Sequence, residues 1–196
     1  MYINFWYPVI LSEELKDEPV RVRMLGQNFV TFRDSKGAPK TLSDTCVHRG
    51  GSLSGGVVRD DCIQCPYHGW RFDGEGECKR IPSLGKDAKI PKRTRIDAYP
   101  TEEKYGIVFA FLGDLEKSKR PPIMPIAELD DEENWRANWL NYEAKINFER
   151  SIENGLDAAH NEFVHPTHGH EGEDDDYKVG DLKFVDNMFG PKKWGF

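Results

Sequence analysis

Apolar and polar positions alternate through much of the first 112 residues. VRVRML (20–25) and FVTFR (29–33) each set an apolar side chain at about every second position, and Gly26-Gln27-Asn28 lies between them. Two such runs around turn-forming residues predict a β-hairpin. Asp34-Ser35-Lys36-Gly37 and Asp73-Gly74-Glu75-Gly76 predict further turns, and IVFAFL (107–112) predicts a buried strand. No helical period is sustained between 18 and 112, so this stretch predicts a small all-β domain.

The pattern then changes. Leu115 to Pro125, LEKSKRPPIMP, is charged and proline-rich with no apolar repeat, which predicts a linker. The expected organisation is a β domain over 1–115, a linker over 116–125 and a second domain from 126 to 196. In the second domain WRANWLNYEAKI (135–146) alternates aromatic and polar residues as a strand would. Asn147 or Ser151 is placed to open a helix running to about Val164. Pro166 closes it, because proline disfavours helical geometry at the residue before it, His165. HGHEGEDDDYKVGD (168–181) predicts an acidic loop in which His168, His170 and the Asp174–Asp176 run are solvated. There is no internal repeat.

Charge narrows the classes of partner. The 196 residues carry a net charge of −7 with a pI near 5.4, which argues against nucleic acid or an anionic membrane as the main partner. No 20-residue apolar span predicts a transmembrane helix. The amino terminus, MYINFWYPVILSEELK, lacks a basic leader, so a secretory signal is not expected. Four cysteines in such a chain suggest a reducing, cytoplasmic setting where paired thiols bind metal more often than they form disulfides.

The chemistry concentrates in Cys46-Val47-His48 and, sixteen residues on, Cys65-Pro66-Tyr67-His68. Each half offers one thiolate and one imidazole. A Rieske [2Fe–2S] cluster, with two Cys on one iron and two His on the other, needs this inventory. Glycines after each half (Gly50, Gly51 and Gly69) let backbone N–H groups approach the bridging sulfides. A zinc site is the competitor, since Cys62-Ile63-Gln64-Cys65 is a CxxC that could join Cys46 and His48 in a Cys3His set. That set leaves His68 unexplained. Cys62 and Cys78 read as free thiols.

CVHRG and CPYHGW, Cys46 to Gly50 and Cys65 to Trp70, resemble the cluster signature of Rieske non-haem iron oxygenases. The resemblance runs from Trp6-Tyr7-Pro8 to at least His165. It implies a Rieske β-sandwich domain followed by the first part of an α+β helix-grip catalytic domain, a mainly β chain overall. It also implies that Cys46 and Cys65 bind one iron and His48 and His68 the other.

A second string, Asn154-Gly-Leu-Asp157-Ala-Ala-His160-Asn-Glu-Phe-Val-His165, resembles the catalytic-iron motif of the same family. On a helix Asp157 and His160 share a face. His160 and His165 stand roughly 140° apart on an ideal helix, so it should break or widen just before Pro166. Two imidazoles and a carboxylate make the facial triad of mononuclear Fe(II) oxygenases. By the resemblance Asp157 bonds His160 and reaches a Rieske histidine of a neighbouring subunit in a homotrimer, while Asn154 lies near the iron.

The family's third ligand, a carboxylate, lies well over a hundred residues further on, beyond Phe196, so the chain is expected to be a truncated form. Asp181, Asp186 or the 174–176 aspartates are the substitutes within reach. Truncation would leave Phe184, Met188, Phe189 and Trp194 uncovered. The resemblance implies a terminal oxygenase, closer to monooxygenases and demethylases than to ring dihydroxylases. Such an enzyme takes electrons from a ferredoxin or flavin-dependent reductase and puts oxygen from O2 into a small organic substrate. The rival is a Rieske-type electron carrier without catalytic iron.

Overall fold

The computed structural model describes residues 3–86, 88–157 and 159–165. The chain divides into two compact units, 1–130 and 131–196. His168, His170, the aspartates from 174 to 186 and the apolar residues from 184 to 194 lie outside the described residues.

The first unit is built from three antiparallel sheets. β1 (Phe5–Leu11), β10 (Thr101–Lys104) and β11 (Ile107–Leu112) form a sheet in the order β1-β11-β10. β2 (Val20–Met24), β3 (Gln27–Arg33), β4 (Pro39–Ser43) and β9 (Ala98–Tyr99) form a second, in the order β2-β3-β4-β9. β5 (Val57–Arg59), β6 (Cys62–Gln64), β7 (Arg71–Asp73) and β8 (Cys78–Arg80) make a small meander. The mainly β expectation holds.

The predicted hairpin is β2–β3, with its turn one residue earlier than read: Met24 pairs with Gln27 across Leu25-Gly26, at φ +50° and +78°. A two-residue turn with both φ positive matches the twist of the strands it joins. Asp60-Asp61 and Tyr105-Gly106 repeat it between β5 and β6 and between β10 and β11. The two Asp-x-x-Gly turns form as predicted, each with the aspartate carboxylate accepting from two backbone N–H groups ahead of it.

Strand β3 is covered on both faces. Val30 and Phe32 point into a core with Leu42, Leu53, Ile63 and Phe72, while Phe29 packs with Met24, Ala110 and Leu112 on the other side. Thr31 lies opposite Thr41, and their fully buried hydroxyls satisfy each other at 3.2 Å. Cys46 and Cys65 belong to the first core, which ties the two cysteine loops to its packing.

The proline-rich run after β11 lies against the sheets. The Trp6 indole N–H donates to the Pro121 carbonyl at 2.7 Å, the Arg120 guanidinium sits over the Phe111 ring and Ile123 is buried. Composition reads such a run as a spacer; one indole and one apolar side chain are enough to hold it down.

In the second unit WRANWLNYEAKI forms no strand, contrary to expectation. Its alternation is present, but Trp135, Trp139, Leu140, Tyr142 and Ile146 are all exposed and no neighbouring strand is paired to it among the described residues. A strand is a property of a ladder. The helix starts where Asn147 caps it, the side-chain oxygen accepting from the Glu149 N–H at 2.9 Å. It does not run to Val164. Helix α2 (Phe148–Leu156) stops at Asp157, and α3 (Asn161–Val164) follows as a single turn; a short α1 (Ala127–Asp130) closes the first unit.

Candidate metal centre

Two loops carry the first candidate set, and they are built alike. In the loop after β4 the Cys46 N–H donates to the Gly51 carbonyl at 2.9 Å and the Gly50 N–H to the Cys46 carbonyl at 2.9 Å. In the loop after β6 the Cys65 N–H donates to the Trp70 carbonyl at 2.8 Å and the Gly69 N–H to the Cys65 carbonyl at 3.0 Å. Each loop thus returns on itself after four residues, and Gly50 and Gly69 both sit at φ +70°, where a side chain would be strained.

This paired geometry sorts the four side chains by depth. Cys46 and Cys65 are buried, at 2% and 1% exposure, His48 is half-buried and His68 is exposed. The two imidazoles lie edge to face with centroids 4.4 Å apart. Burial pushes the Cys46 thiol up to about 11, and the Cys65 sulfur beside it adds to the shift. His48 is held below the ordinary imidazole value by burial, then by the charges of His68 and Arg49, so it is neutral and able to donate a lone pair. Its Nδ1 is buried with no hydrogen-bond partner. Two inward sulfurs, two outward imidazoles and an orphaned ring nitrogen fit a dinuclear cluster taking two ligands per iron. They fit a zinc ion poorly: among the described residues no three Cys, His, Asp or Glu side chains converge on one metal position. Cys62 is a buried residue of β6 paired with Asp73, as the free-thiol reading expects, and Cys78 is likewise buried in β8. None of the four cysteines is in a disulfide.

Two supports escaped the sequence reading. Asp44 is buried beneath the first loop, and its carboxylate accepts from the Ser52 hydroxyl at 2.7 Å and from the Ser54 N–H and hydroxyl at 2.6 and 3.0 Å. Ser52 and Ser54 at alternate positions were the available signal. The Trp70 indole stacks on His48, with centroids 4.5 Å apart and planes within 5°. Nothing in the spacing announced that contact.

The second candidate set depends on the helix break. Asp157 caps α2 in an extended conformation (φ −84°, ψ 97°), its N–H donating to the Glu153 carbonyl and its Oδ1 accepting from the Ala159 N–H at 3.0 Å. Asp157 and His160 therefore do not share a helical face as predicted. They meet across a turn, with Nδ1 and Oδ2 3.5 Å apart, and this Nδ1 too is buried and lacks a hydrogen-bond partner. The break falls at 157–160, upstream of the position expected beside Pro166. It sets the His160 and His165 rings 5.5 Å apart, with His165 extended (φ −99°, ψ 119°) as the following proline requires. Asn154 lies in α2 one turn before Asp157. No carboxylate completes a three-ligand set among the described residues.

Residues 5–100 match the Rieske [2Fe-2S] domain. Over 164 residues the chain is 31% identical to the 3-chlorobenzoate-3,4-dioxygenase oxygenase subunit of Comamonas testosteroni, covering 83% of this chain and 37% of that protein. It is 36% identical over 164 residues to the 4beta-methylsterol monooxygenase of Methylococcus capsulatus, covering 83% and 44%. Among solved structures, NdmA of Pseudomonas putida superposes with a TM-score of 0.72 at 30% identity, covering 83% of this chain and 50% of that one. The chain spans about a third to a half of the length of these relatives. Among the described residues no helix is long and apolar enough to cross a membrane.

Proposed function

We propose, from the premise that this chain belongs with the oxygenase subunits of Rieske non-haem iron oxygenases, that it receives electrons through Cys46, His48, Cys65 and His68 and serves an oxygenation at His160 and His165. The paired loops carry the reading, with thiols turned to the core and imidazoles turned out. Cys46 and Cys65 would hold one iron of a [2Fe–2S] cluster and His48 and His68 the other. His160 and His165 would hold a mononuclear Fe(II) whose third ligand lies outside the described residues. When bound, the cluster supplies one-electron transfer and the single iron supplies O2 activation.

The chain's own residues have separable tasks. The exposed His68 edge gives an external ferredoxin or flavin-dependent reductase its nearest approach. The buried cysteines keep water from the sulfur side. Asp157 stands against His160 Nδ1 and orients that ring, and Asn154 lies one turn away. Residues 126–196 would begin the helix-grip catalytic domain, and by the same family reading the chain works in the cytoplasm as a homotrimer, with Asp157 facing a neighbour's Rieske histidine. The substrate class is a small, cyclic or aromatic organic molecule, and hydroxylation or demethylation is favoured by relatives named monooxygenases.

Iron and acid-labile sulfide per chain test this directly. About two sulfides and three irons support both sites; about two of each support the cluster alone, an outcome shared by a truncated oxygenase and an electron carrier. Replacing His160 and His165 together removes about one iron and leaves sulfide unchanged. Absence of labile sulfide would overturn the cluster assignment.

A further inference from the structure

Trp70 takes part in both candidate ligand loops at once. Its backbone carbonyl accepts the Cys65 N–H at 2.8 Å, closing the second loop. Its indole lies flat on His48 of the first loop, with centroids 4.5 Å apart and planes 5° apart. The side chain is half-buried and packs on the core that includes both cysteines. His48 has its other exposed freedom removed by His68, which meets it edge-on at 4.4 Å. An imidazole on a loop rotates about its terminal torsion over a broad well. Here one face is blocked by a parallel ring and one edge by a second imidazole. The orphaned Nδ1 is therefore held in one direction.

We infer that Trp70 is a positioning residue: it clamps the His48 ring plane and couples the two ligand loops, so that it sets the orientation of the His48 ligand and through it the electronic state of the cluster. The inference rests on the proposed cluster reading. Parallel ring stacking biases a ring orientation without deciding whether the domain folds.

The test compares the iron–sulfur-loaded wild type with Trp70→Leu, Trp70→Met and Trp70→Phe. The reduced cluster is followed by electron paramagnetic resonance, its reduction potential by titration and its loss by bleaching of the visible absorption. The two aliphatic variants are expected to shift the g values and the potential and to lose the cluster several-fold faster, while Trp70→Phe stays near wild type. An aliphatic variant with full cluster content and wild-type g values and potential overturns the inference. Should the aliphatic variants not accumulate, wild-type protein grown on ring-deuterated tryptophan decides. A deuteron coupling that vanishes in Trp70→Phe, and whose orientation dependence sets the indole parallel to the His48 ring, supports the clamp; no coupling, or an indole not parallel to that ring, overturns it. Wild type lacking labile sulfide refutes the cluster reading itself, which is a distinct result.

Discussion

Replacing Asp44 with Ala should cost the first unit about 2–4 kcal/mol. The carboxylate is buried and accepts three hydrogen bonds from Ser52 and Ser54, each of the charge-assisted kind worth about 1.5–3 kcal/mol. The full sum is not lost, because Ser52 is exposed and its hydroxyl turns to water. What has no substitute is the Ser54 N–H, drawn to within 2.6 Å of Oδ1. The 3.5 Å contact from Arg21 adds little, since that side chain is 57% exposed. A burial penalty on the carboxylate that cancelled these bonds would make the substitution nearly neutral. With a urea dependence of about 2 kcal/mol/M, the apparent midpoint of the loaded protein should fall by about 1–2 M. Asp44→Asn keeps an acceptor for the Ser54 N–H and should fall by roughly half as much. A midpoint for Asp44→Ala within about 0.3 M of wild type would show that the brace is not there.

A Cβ added at Gly51 would lie 3.1 Å from the Cys65 sulfur. Gly51→Ala should therefore perturb the visible spectrum and potential of the cluster, whereas Gly26→Ala, with nothing within 4 Å, should cost only turn stability. Gly56→Ala should fail to accumulate as folded protein, because its Cβ would sit 1.9 Å from the Gln64 carbonyl oxygen, a backbone atom of β6; a normal yield and melting point would count against that packing. Burial lifts the Cys62 thiol to about 11 from an ordinary value near 9, so about one thiolate in a thousand molecules exists at pH 8 and native alkylation should be slow until alkaline pH. Because the folded form holds this proton more tightly than the unfolded form, its contribution to stability is whole below pH 9 and is lost as pH rises through about 11. An unfolding midpoint that rose over that range, after removing the contribution of Cys78 with a Cys78→Ser variant, would contradict the sign.

The sequence by itself determined the β class of the first unit, the two Asp-x-x-Gly turns and the donor inventory. Alternation with period two, Asp-x-x-Gly and Cys-x-His are local signals read without knowing what lies across the chain. Asn147 as a helix cap is of the same kind, since its bond spans two residues. Tertiary structure decided whatever depends on a partner distant in sequence. WRANWLNYEAKI carries strand alternation and has no paired strand among the described residues, so the pattern goes unused. The helix through Asp157 breaks earlier than the proline alone requires, which turns a predicted shared face into a contact across a turn. The sorting of thiols inward and imidazoles outward follows from two similar loops packed on one core, and the Trp70–His48 stack joins residues of different loops. Composition names the donors; only packing aims them, because a ligand's direction is set by the side chains that crowd it.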